Sequence, residues 1–282
     1  MTGQTRIGLF GGVYSNALAL RALLQDAGMR GLDRLYCLGD LGAFGPYPDR
    51  VCEVLRATGI PVIQGNYDHS LGNGLADCRC GYTDPRDNYF AKLSYDYTFS
   101  RTSTGHKCWL AQLPAELRLT IGPWRVLLCH GSPRKTNEFL WETATSDAFL
   151  AWLFKRYECD VIVATHTGLP WAREVTVQAG CQAHAAQADG VPRSGWFVNC
   201  GAIGRPANDG RTTVIYAVLS LPHTMLRKPE VKFVRLAYDH ERFAGEMRAE
   251  GLPEEFVQTI LTGWWTTCNE ILPAKERARG RY

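Results

Sequence analysis

The first 70 residues alternate short apolar runs with amphipathic segments, and this alternation restricts the fold more than any other feature of the chain. Residues 6–10, 35–38 and 61–63 are apolar runs of strand length. The segments between them carry leucines and valines at helical spacing, and Gly28 follows the first segment as a helix stop. A β-α-β-α-β order predicts a parallel sheet with right-handed crossovers.

Further strand-like and helical segments follow along the rest of the chain. Helices are predicted at residues 87–97, 105–112 and 145–156, and again from 241 to about 264 with a break at 251–253. Strands are predicted at residues 117–121, 126–129, 161–164, 174–177, 195–198, 212–219 and 231–236. No stretch resembles an interdomain linker. Residues 1–282 are therefore predicted to form one α/β domain, with a mixed sheet or two face-to-face sheets and a helical tail from about residue 239.

Charge and hydropathy exclude several classes of protein. The chain has 31 basic and 28 acidic side chains, and a net charge of +3 over 282 residues argues against a general nucleic-acid binder. No apolar run reaches the roughly 18 residues of a membrane span. The first residues lack the apolar stretch of a secretion signal. We therefore expect a cytoplasmic protein without a membrane partner.

The ten cysteines are not spaced like a disulfide framework or a zinc site. Cys37, Cys129 and Cys159 lie in or beside apolar runs, where reduced cysteine behaves as a small hydrophobic residue. No Cys-x-x-Cys pair occurs. Cys78 and Cys80 are the one close pair, and loop structure is the interpretation favoured over metal binding or redox sensing.

Polar residues follow four of the apolar runs and predict a metal site. In an α/β sheet, ligands bind beyond the carboxyl ends of the strands. Asp40, Asn66, His130 and His166 each follow an apolar run and lie next to or near a glycine. Carboxylate and amide oxygens combined with imidazole suit Zn, Fe or Mn.

The order of these motifs resembles the calcineurin-like metallophosphoesterases, and their compact bacterial branch in particular. Gly-Asp at residues 39–40, His-Gly-Ser-Pro-Arg at 130–134 and Asn-Cys-Gly-Ala-Ile-Gly-Arg-Pro at 199–206 each match an element of the family pattern. The resemblance spans most of the chain. It implies a sandwich of two mixed β-sheets flanked by helices, hydrolysis of phosphate esters, and a two-metal site.

Four positions depart from the family pattern. The family's first Asp and the His two residues later fall on Gly12 and Tyr14, and the second His of its last motif falls on Gly168. In the family, these three residues bind only the first metal of the pair. The His of the family's Gly-Asn-His-Asp motif falls on Tyr67. The ligands that the resemblance implies for the other metal all remain: Asp40, Asn66, His130 and His166.

The resemblance therefore implies a reduced site that holds one divalent or trivalent ion of Fe, Mn or Zn per chain. One metal still activates water and polarises a phosphoryl oxygen, so hydrolysis of a phosphate mono- or diester is weakened but not forbidden. Tyr67 and Arg134 are expected to steady the phosphoryl oxygens, and Asp68 to orient its neighbours from outside the metal's ligand set. Tyrosine, with an ordinary pKa of about 10, is a poor acid for the leaving group. The expected partner is a small phosphorylated substrate or phosphate.

Two alternative functions remain open from the sequence. One is a catalytically inactive protein that binds metal or phosphate. The other is an iron site with the Tyr14 phenolate as a ligand, although Tyr14 filling the space of the missing metal is the favoured interpretation. Gly12 and Gly168 would then border a pocket. His69 and His184 are further candidate substitute ligands.

Three arginines are candidates for binding an anionic substrate, namely Arg134, Arg205 and Arg211. A surface salt bridge is the simpler interpretation of each. Arg134 is retained because it follows His130 by four residues.

Overall fold

The computed structural model describes residues 3–177 and 193–277, and most of its strands and helices follow the predicted order. The strands are Gln4–Phe10 (β1), Arg34–Cys37 (β2), Glu116–Ile121 (β3), Trp124–Cys129 (β4), Val161–Ala164 (β5), Pro170–Val177 (β6), Arg193–Cys200 (β7), Val214–Pro222 (β8) and Glu230–Leu236 (β9). The helices are Ala17–Met29 (α1), Pro48–Thr58 (α2), Asn66–Gly72 (α3), Pro85–Arg101 (α4), Thr104–Ala111 (α5), Asp147–Tyr157 (α6), His240–Ala249 (α7), Glu254–Thr262 (α8) and Ala274–Arg277 (α9).

The strands form two mixed sheets. In the first sheet, of order β2-β1-β8-β9, β1 and β2 are parallel, and β8 is antiparallel to both of its neighbours. In the second sheet, of order β3-β4-β5-β7-β6, the three central strands are parallel and the two edge strands are antiparallel. The prediction of an α/β fold with two mixed sheets flanked by helices is confirmed.

The two sheets pack face to face through one apolar layer. Ile7 and Leu9 of β1 alternate toward this layer and meet Leu128, Val163 and Leu219 from β4, β5 and β8. All five side chains are fully buried. Helices α1 and α2 cover the outer face of the first sheet, and α6 covers that of the second. Because strands covered on both faces need apolar residues throughout, they appear in the sequence as continuous apolar runs.

The third predicted strand is the one early element that the structure replaces. Residue Val62 makes only a single parallel bridge, to Cys37. Proline at position 61 lacks the N–H that a longer strand ladder needs. The chain then enters α3, a short helix that the sequence did not predict, and the Asp68 carboxylate accepts a hydrogen bond from the Gly65 N–H at its start.

The C-terminal helices pack over the loops at one end of the sandwich. Phe256 and Ile260 of α8 are buried with Phe243 and Met247 of α7. Beyond α8, Trp265 is buried in a separate apolar cluster. Among the helices of residues 3–177 and 193–277, none combines the length and the apolar character that a bilayer crossing requires.

We expect Leu128→Ala to lower the free energy of unfolding by about 2–5 kcal/mol, because it leaves a cavity between the two sheets. Urea denaturation measures the loss. Leu226→Ala is the matched control, since Leu226 is 94 % exposed and its truncation leaves no cavity. Equal losses for both variants would contradict the placement of Leu128 in the core.

Candidate metal centre

The four predicted ligands lie just after strands or at the start of a helix. Asp40 follows β2, Asn66 begins α3, His130 follows β4 and His166 follows β5. Parallel strands end at the same edge of a sheet, so the loops after them meet there. Asp40 and His166 have φ angles of 55° and 38°, a left-handed conformation that is uncommon for residues other than glycine and is concentrated at functional sites.

Three of these side chains form a tight buried cluster. His130 Nε2 lies 3.2 Å from Asp40 Oδ2 and 3.2 Å from His166 Nδ1. The three donor atoms all lie within 4.8 Å of one another. Ligands bound to one ion at about 2.0–2.2 Å are separated by similar distances. Asp40, His130 and His166 therefore face a common point.

The hydrogen bond made by His130 Nδ1 determines the tautomer of the ring, and therefore which nitrogen offers its lone pair to the cluster. His130 Nδ1 lies 2.6 Å from the carbonyl oxygen of Leu38, an atom that only accepts hydrogen bonds. Nδ1 therefore carries the proton, and the lone pair of Nε2 is directed at Asp40 and His166. This is the tautomer that a metal ligand needs.

Without a metal, the Asp40 carboxylate favours protonation of His130. Burial lowers the pKa of His130, but the adjacent Asp40 carboxylate outweighs burial, and the net shift of the His130 pKa is upward. Burial raises the pKa of Asp40, but attraction to His130 outweighs it and lowers the Asp40 pKa. Burial and repulsion by His130 lower the pKa of His166 to about 3, so His166 is neutral.

Asn66, the fourth predicted ligand, precedes Tyr67, whose backbone N–H donates to Asp40 Oδ1 at 3.0 Å. The side-chain Nδ2 of Asn66 donates to the carbonyl oxygen of Cys78 at 2.8 Å and to Cys80 Sγ at 3.4 Å. Its Oδ1 is buried and has no hydrogen-bond partner among residues 3–177 and 193–277. An amide oxygen of this kind, together with the carboxylate and imidazoles of Asp40, His130 and His166, is a donor set that suits an ion of the Zn, Fe or Mn type. The residues present therefore fit the implied ion.

Asp68 holds the ligand loops in place and does not face the cluster. Its carboxylate accepts hydrogen bonds from the backbone N–H groups of Asp40, Leu41 and Gly65 at 2.7, 3.0 and 2.8 Å. Burial, followed by the nearby Asp40 carboxylate, raises the pKa of Asp68 to about 6. Asp68 is therefore a positioning residue that holds the two loops through their backbone N–H groups.

Tyr14 occupies the space above Gly12. A Cβ atom built on Gly12 would lie 2.9 Å from Tyr14 Cζ and 3.0 Å from its hydroxyl oxygen. Its ring also packs edge-on against Phe44, with centroids 5.3 Å apart. Burial raises the pKa of the Tyr14 phenol above its ordinary value, so the phenol keeps its proton. These contacts favour a space-filling role over that of an iron ligand.

Trp265 fills the space beside Gly168, as Tyr14 does beside Gly12. A Cβ on Gly168 would lie 3.4 Å from the edge of the Trp265 indole and 3.8 Å from Ala202. The indole N–H donates to the Pro206 carbonyl at 2.7 Å, which fixes the ring in this position. Both glycines where the family has ligands are thus covered by an aromatic ring, and the pocket expected beside them is filled.

The structure does not support the phosphoryl-binding role predicted for Tyr67. The Tyr67 hydroxyl donates to Ser94 Oγ at 2.9 Å, although its ring lines the cavity beside the cluster. Burial raises its pKa well above the ordinary value. Ser94, which lies on α4, is an acceptor that the local sequence around Tyr67 does not reveal.

Arg134 is also misplaced by the sequence prediction. It is exposed, and its guanidinium pairs with Glu138, four residues along the chain. This is the surface salt bridge that the simpler interpretation gives. The candidate substitute ligand His69 is exposed and contacts Gln64 at 3.1 Å, away from the cluster. The other candidate, His184, lies outside the described residues.

Several features of the site could not be predicted, or were not predicted, from the sequence. Phe139 stacks on His166 with ring centroids 4.3 Å apart. Cys80 lines the cavity and is disulfide-bonded to Cys78, a bond that the cysteine spacing did not predict. Arg205 is buried beside Trp265, although the sequence favoured a surface salt bridge for it. Of these features, only the disulfide had a local sequence signal, the short spacing of the two cysteines. The contacts of Phe139 and Arg205 join segments that are distant in the sequence.

The cavity next to the cluster is small and mostly aromatic. Its volume is about 10 Å³, enough for one water molecule or one ion. Its lining residues are Tyr14, Asp40, Phe44, Tyr67, Cys80, Tyr82, Ala91 and His166.

Fold and cluster together define a metal-site α/β sandwich of the phosphoesterase type. The profile of the calcineurin-like phosphoesterase superfamily domain matches residues 6–221. The chain belongs to this superfamily. Trp265 and helices α7 and α8 lie beyond the matched region.

Solved structures and relatives agree with this assignment. A metallophosphoesterase from Sphaerobacter thermophilus is 25% identical with a TM-score of 0.64, covering 93% of this chain and 100% of that one. A hypothetical protein from Pyrococcus horikoshii OT3 shares the fold, with a TM-score of 0.68 and 20% identity over 92% of this chain and 98% of its own. An uncharacterized protein of Methanocaldococcus jannaschii is 22% identical over 263 residues, which cover 92% of this chain and 99% of the relative.

We expect one metal ion per chain, and His130→Ala to remove it, because the variant loses the central donor of the cluster. Elemental analysis after gel filtration measures the metal content. His69→Ala is the matched control, since His69 is exposed, and it should retain the metal. Two tightly bound ions in the unmodified protein, or retention of metal by His130→Ala, would contradict the assignment.

Metal affinity should fall with decreasing pH. Asp40 raises the pKa of His130 in the metal-free protein, and a metal must displace the proton from His130 Nε2. Below this raised pKa, affinity should drop about tenfold per pH unit, and binding should release about one proton. Competition titrations from about pH 5 to about pH 8 measure the slope across the range in which histidine titrates. An affinity that stays constant over this range would contradict displacement of a proton.

Proposed function

We propose that this protein hydrolyses a phosphate mono- or diester with a single metal ion bound by Asp40, Asn66, His130 and His166. The proposal is carried by the buried cluster whose three donor atoms lie within 4.8 Å of one another. Membership of the calcineurin-like phosphoesterase superfamily and the similarity to a metallophosphoesterase from Sphaerobacter thermophilus support the reaction type.

The metal, an ion of Zn, Fe or Mn, would be held by two imidazoles and two oxygen donors. When bound, it supplies Lewis acidity, which lowers the pKa of water and polarises a phosphoryl oxygen. Asp68 accepts two backbone hydrogen bonds from the Asp40 loop and one from Gly65, so the Asp40 carboxylate does not need to reorganise during the reaction. Phe139 packs against His166 in a tilted arrangement, with ring centroids 4.3 Å apart.

The cavity lining leaves the leaving group without an effective acid. Asp40 and His166 belong to the metal, and burial raises the pKa values of Tyr14, Tyr67 and Tyr82 above the ordinary value of tyrosine. A group of high pKa protonates a leaving oxygen poorly at neutral pH. Turnover is therefore slow and limited by departure of the leaving group.

A second function is favoured by the size of the cavity. A volume of about 10 Å³ admits a metal ion or a water molecule but not a phosphate ester. A protein that binds a metal without turnover needs no more space than this. Hydrolysis requires the aromatic wall to move, whereas metal binding alone does not.

We also propose a cytoplasmic location, with a small phosphorylated molecule as the partner. Within the described residues, Cys37, Cys52, Cys129, Cys159, Cys200 and Cys268 are buried free thiols. These buried thiols suit a reducing compartment, and the Cys78–Cys80 disulfide is the one cysteine pair of the described residues that does not. Residues 1–282 are proposed to act as one unit.

The metal-loaded protein should hydrolyse p-nitrophenyl phosphate or bis(p-nitrophenyl) phosphate, and esters of alkyl alcohols much more slowly, because the leaving group departs without a proton. His166→Ala should lose the activity together with the metal. Tyr67→Phe is the control and should change the rate by less than about threefold, because its hydroxyl is bonded to Ser94.

Release of p-nitrophenol and of inorganic phosphate measures these rates. No turnover by protein of confirmed metal content would favour the binding function. A visible absorption band that disappears in Tyr14→Phe would instead favour an iron site with a phenolate ligand.

A further inference from the structure

Arg205 lies in the loop after β7, with its side chain buried beside the candidate metal centre. Only 6 % of the residue is exposed. The preceding N–H groups of Ile203 and Gly204 donate to the carbonyl oxygens of Gly11 and Gly12 at 3.1 and 2.8 Å. These bonds hold the loop against the end of β1. The guanidinium therefore enters the protein on the side of the cleft that lacks metal donors.

The buried guanidinium is surrounded by aromatic rings and not by carboxylates. Its Cζ lies 3.5 Å from the centroid of Trp265, 5.0 Å from that of Phe44 and 5.7 Å from that of Tyr14. Within residues 3–177 and 193–277, it forms no ion pair or hydrogen bond, and its Nε is buried without a partner. Burying an unpaired charge is costly, so the observation points to an anion that completes the site.

Two buried carboxylates near this side of the cleft have other partners. Asp40 pairs with His130, and Asp87 accepts hydrogen bonds from the backbone N–H groups of Asn269 and Ile271 at 3.1 and 3.0 Å. Neither neutralises Arg205. The guanidinium keeps its charge at any working pH. The missing counter-charge is therefore external to the described chain.

The Arg205 cavity and the metal-cluster cavity share a wall. Tyr14 and Phe44 line both: Arg205 lines one cavity, and Asp40 and His166 line the other. Each has a volume of about 10 Å³. A shift of the Tyr14 ring would join them into one space with the metal ligands at one end and the guanidinium at the other.

We propose that Arg205 binds a phosphoryl oxygen of the substrate and supplies positive charge on the side of the cleft opposite the metal ligands. This inference rests on the phosphate-ester substrate proposed above. Trp265 covers one face of the guanidinium, which leaves its N–H edge to bind an anion with two parallel hydrogen bonds. Lysine at this position would supply charge but not the paired donors.

Inorganic phosphate is the probe, and the metal-loaded full chain is the protein. Calorimetry and thermal unfolding in phosphate, with chloride of equal ionic strength as the blank, compare four proteins. These are the unmodified chain, Arg205→Met, Arg205→Lys and the surface control Arg134→Met. We expect Arg205→Met to weaken phosphate binding at least about tenfold, Arg205→Lys to bind with intermediate affinity, and Arg134→Met to leave it unchanged.

Thermal unfolding separates an anion site from a merely structural arginine. In phosphate-free buffer, Arg205→Met should unfold at the same or a higher temperature, because it removes a buried unpaired charge. Phosphate should then raise the unfolding temperature of the unmodified protein but not that of Arg205→Met. A lower unfolding temperature combined with unchanged phosphate affinity would make Arg205 structural and overturn the proposal.

The outcomes for Arg205 and for hydrolysis are distinguishable. No phosphate binding by the unmodified protein overturns the Arg205 proposal, whatever the turnover. Phosphate binding that depends on Arg205 supports it even if no phosphoester is hydrolysed, in which case only the hydrolytic function fails. Turnover and phosphate affinity that are both unchanged in Arg205→Met leave hydrolysis standing and overturn the role of Arg205.

Discussion

The buried carboxylate of Asp68 joins the two loops that carry Asp40 and Asn66. It accepts backbone hydrogen bonds from both loops at 2.7–3.0 Å, and these three donors offset part of the cost of burying the charge. Asp40 is held in a left-handed backbone conformation, with one carboxylate oxygen bonded to the Tyr67 N–H and the other facing His130. The geometry of the metal cluster therefore depends on a carboxylate that binds the backbone N–H groups of the two loops.

Close packing of these loops requires glycine. A Cβ on Gly65 would collide with the Asp40 carboxylate, and a Cβ on Gly39 would collide with the backbone of Gly65. The Gly-Asp and Gly-Asn pairs thus combine a ligand with the space that lets the next loop approach it. On the opposite side of the cleft, Tyr14 and Trp265 cover two other glycines, and that side is aromatic with one buried cation. The cleft has two chemically different halves, one suited to a metal and the other to an anion.

Most of the fold and the metal ligands were predictable because their signals are local. Buried strands appear as continuous apolar runs, and the residues that follow parallel strands meet at one edge, so Asp40, His130 and His166 were found from position alone. The short helix α3 was missed because seven residues carry little helical periodicity. Tyr67 and Arg134 were given the wrong partners because side-chain direction depends on residues distant in sequence or on a neighbouring charge. The Tyr67 hydroxyl donates a hydrogen bond to Ser94, and the Arg134 guanidinium forms a salt bridge with Glu138.

By itself, the sequence determined the α/β class and most of the order of the elements, and it pointed to Asp40, His130 and His166, because each of these signals is encoded within a few residues of the chain. The tertiary structure alone decided which arginine is buried. Arg205 and Arg134 both follow glycine-containing motifs, yet one stacks on Trp265, 60 positions along the chain, and the other pairs with an adjacent turn at the surface. The tertiary structure also decided that aromatic rings cover Gly12 and Gly168. The physical reason is that burial and charge pairing depend on which distant segments pack against one another. Local sequence patterns do not determine this packing.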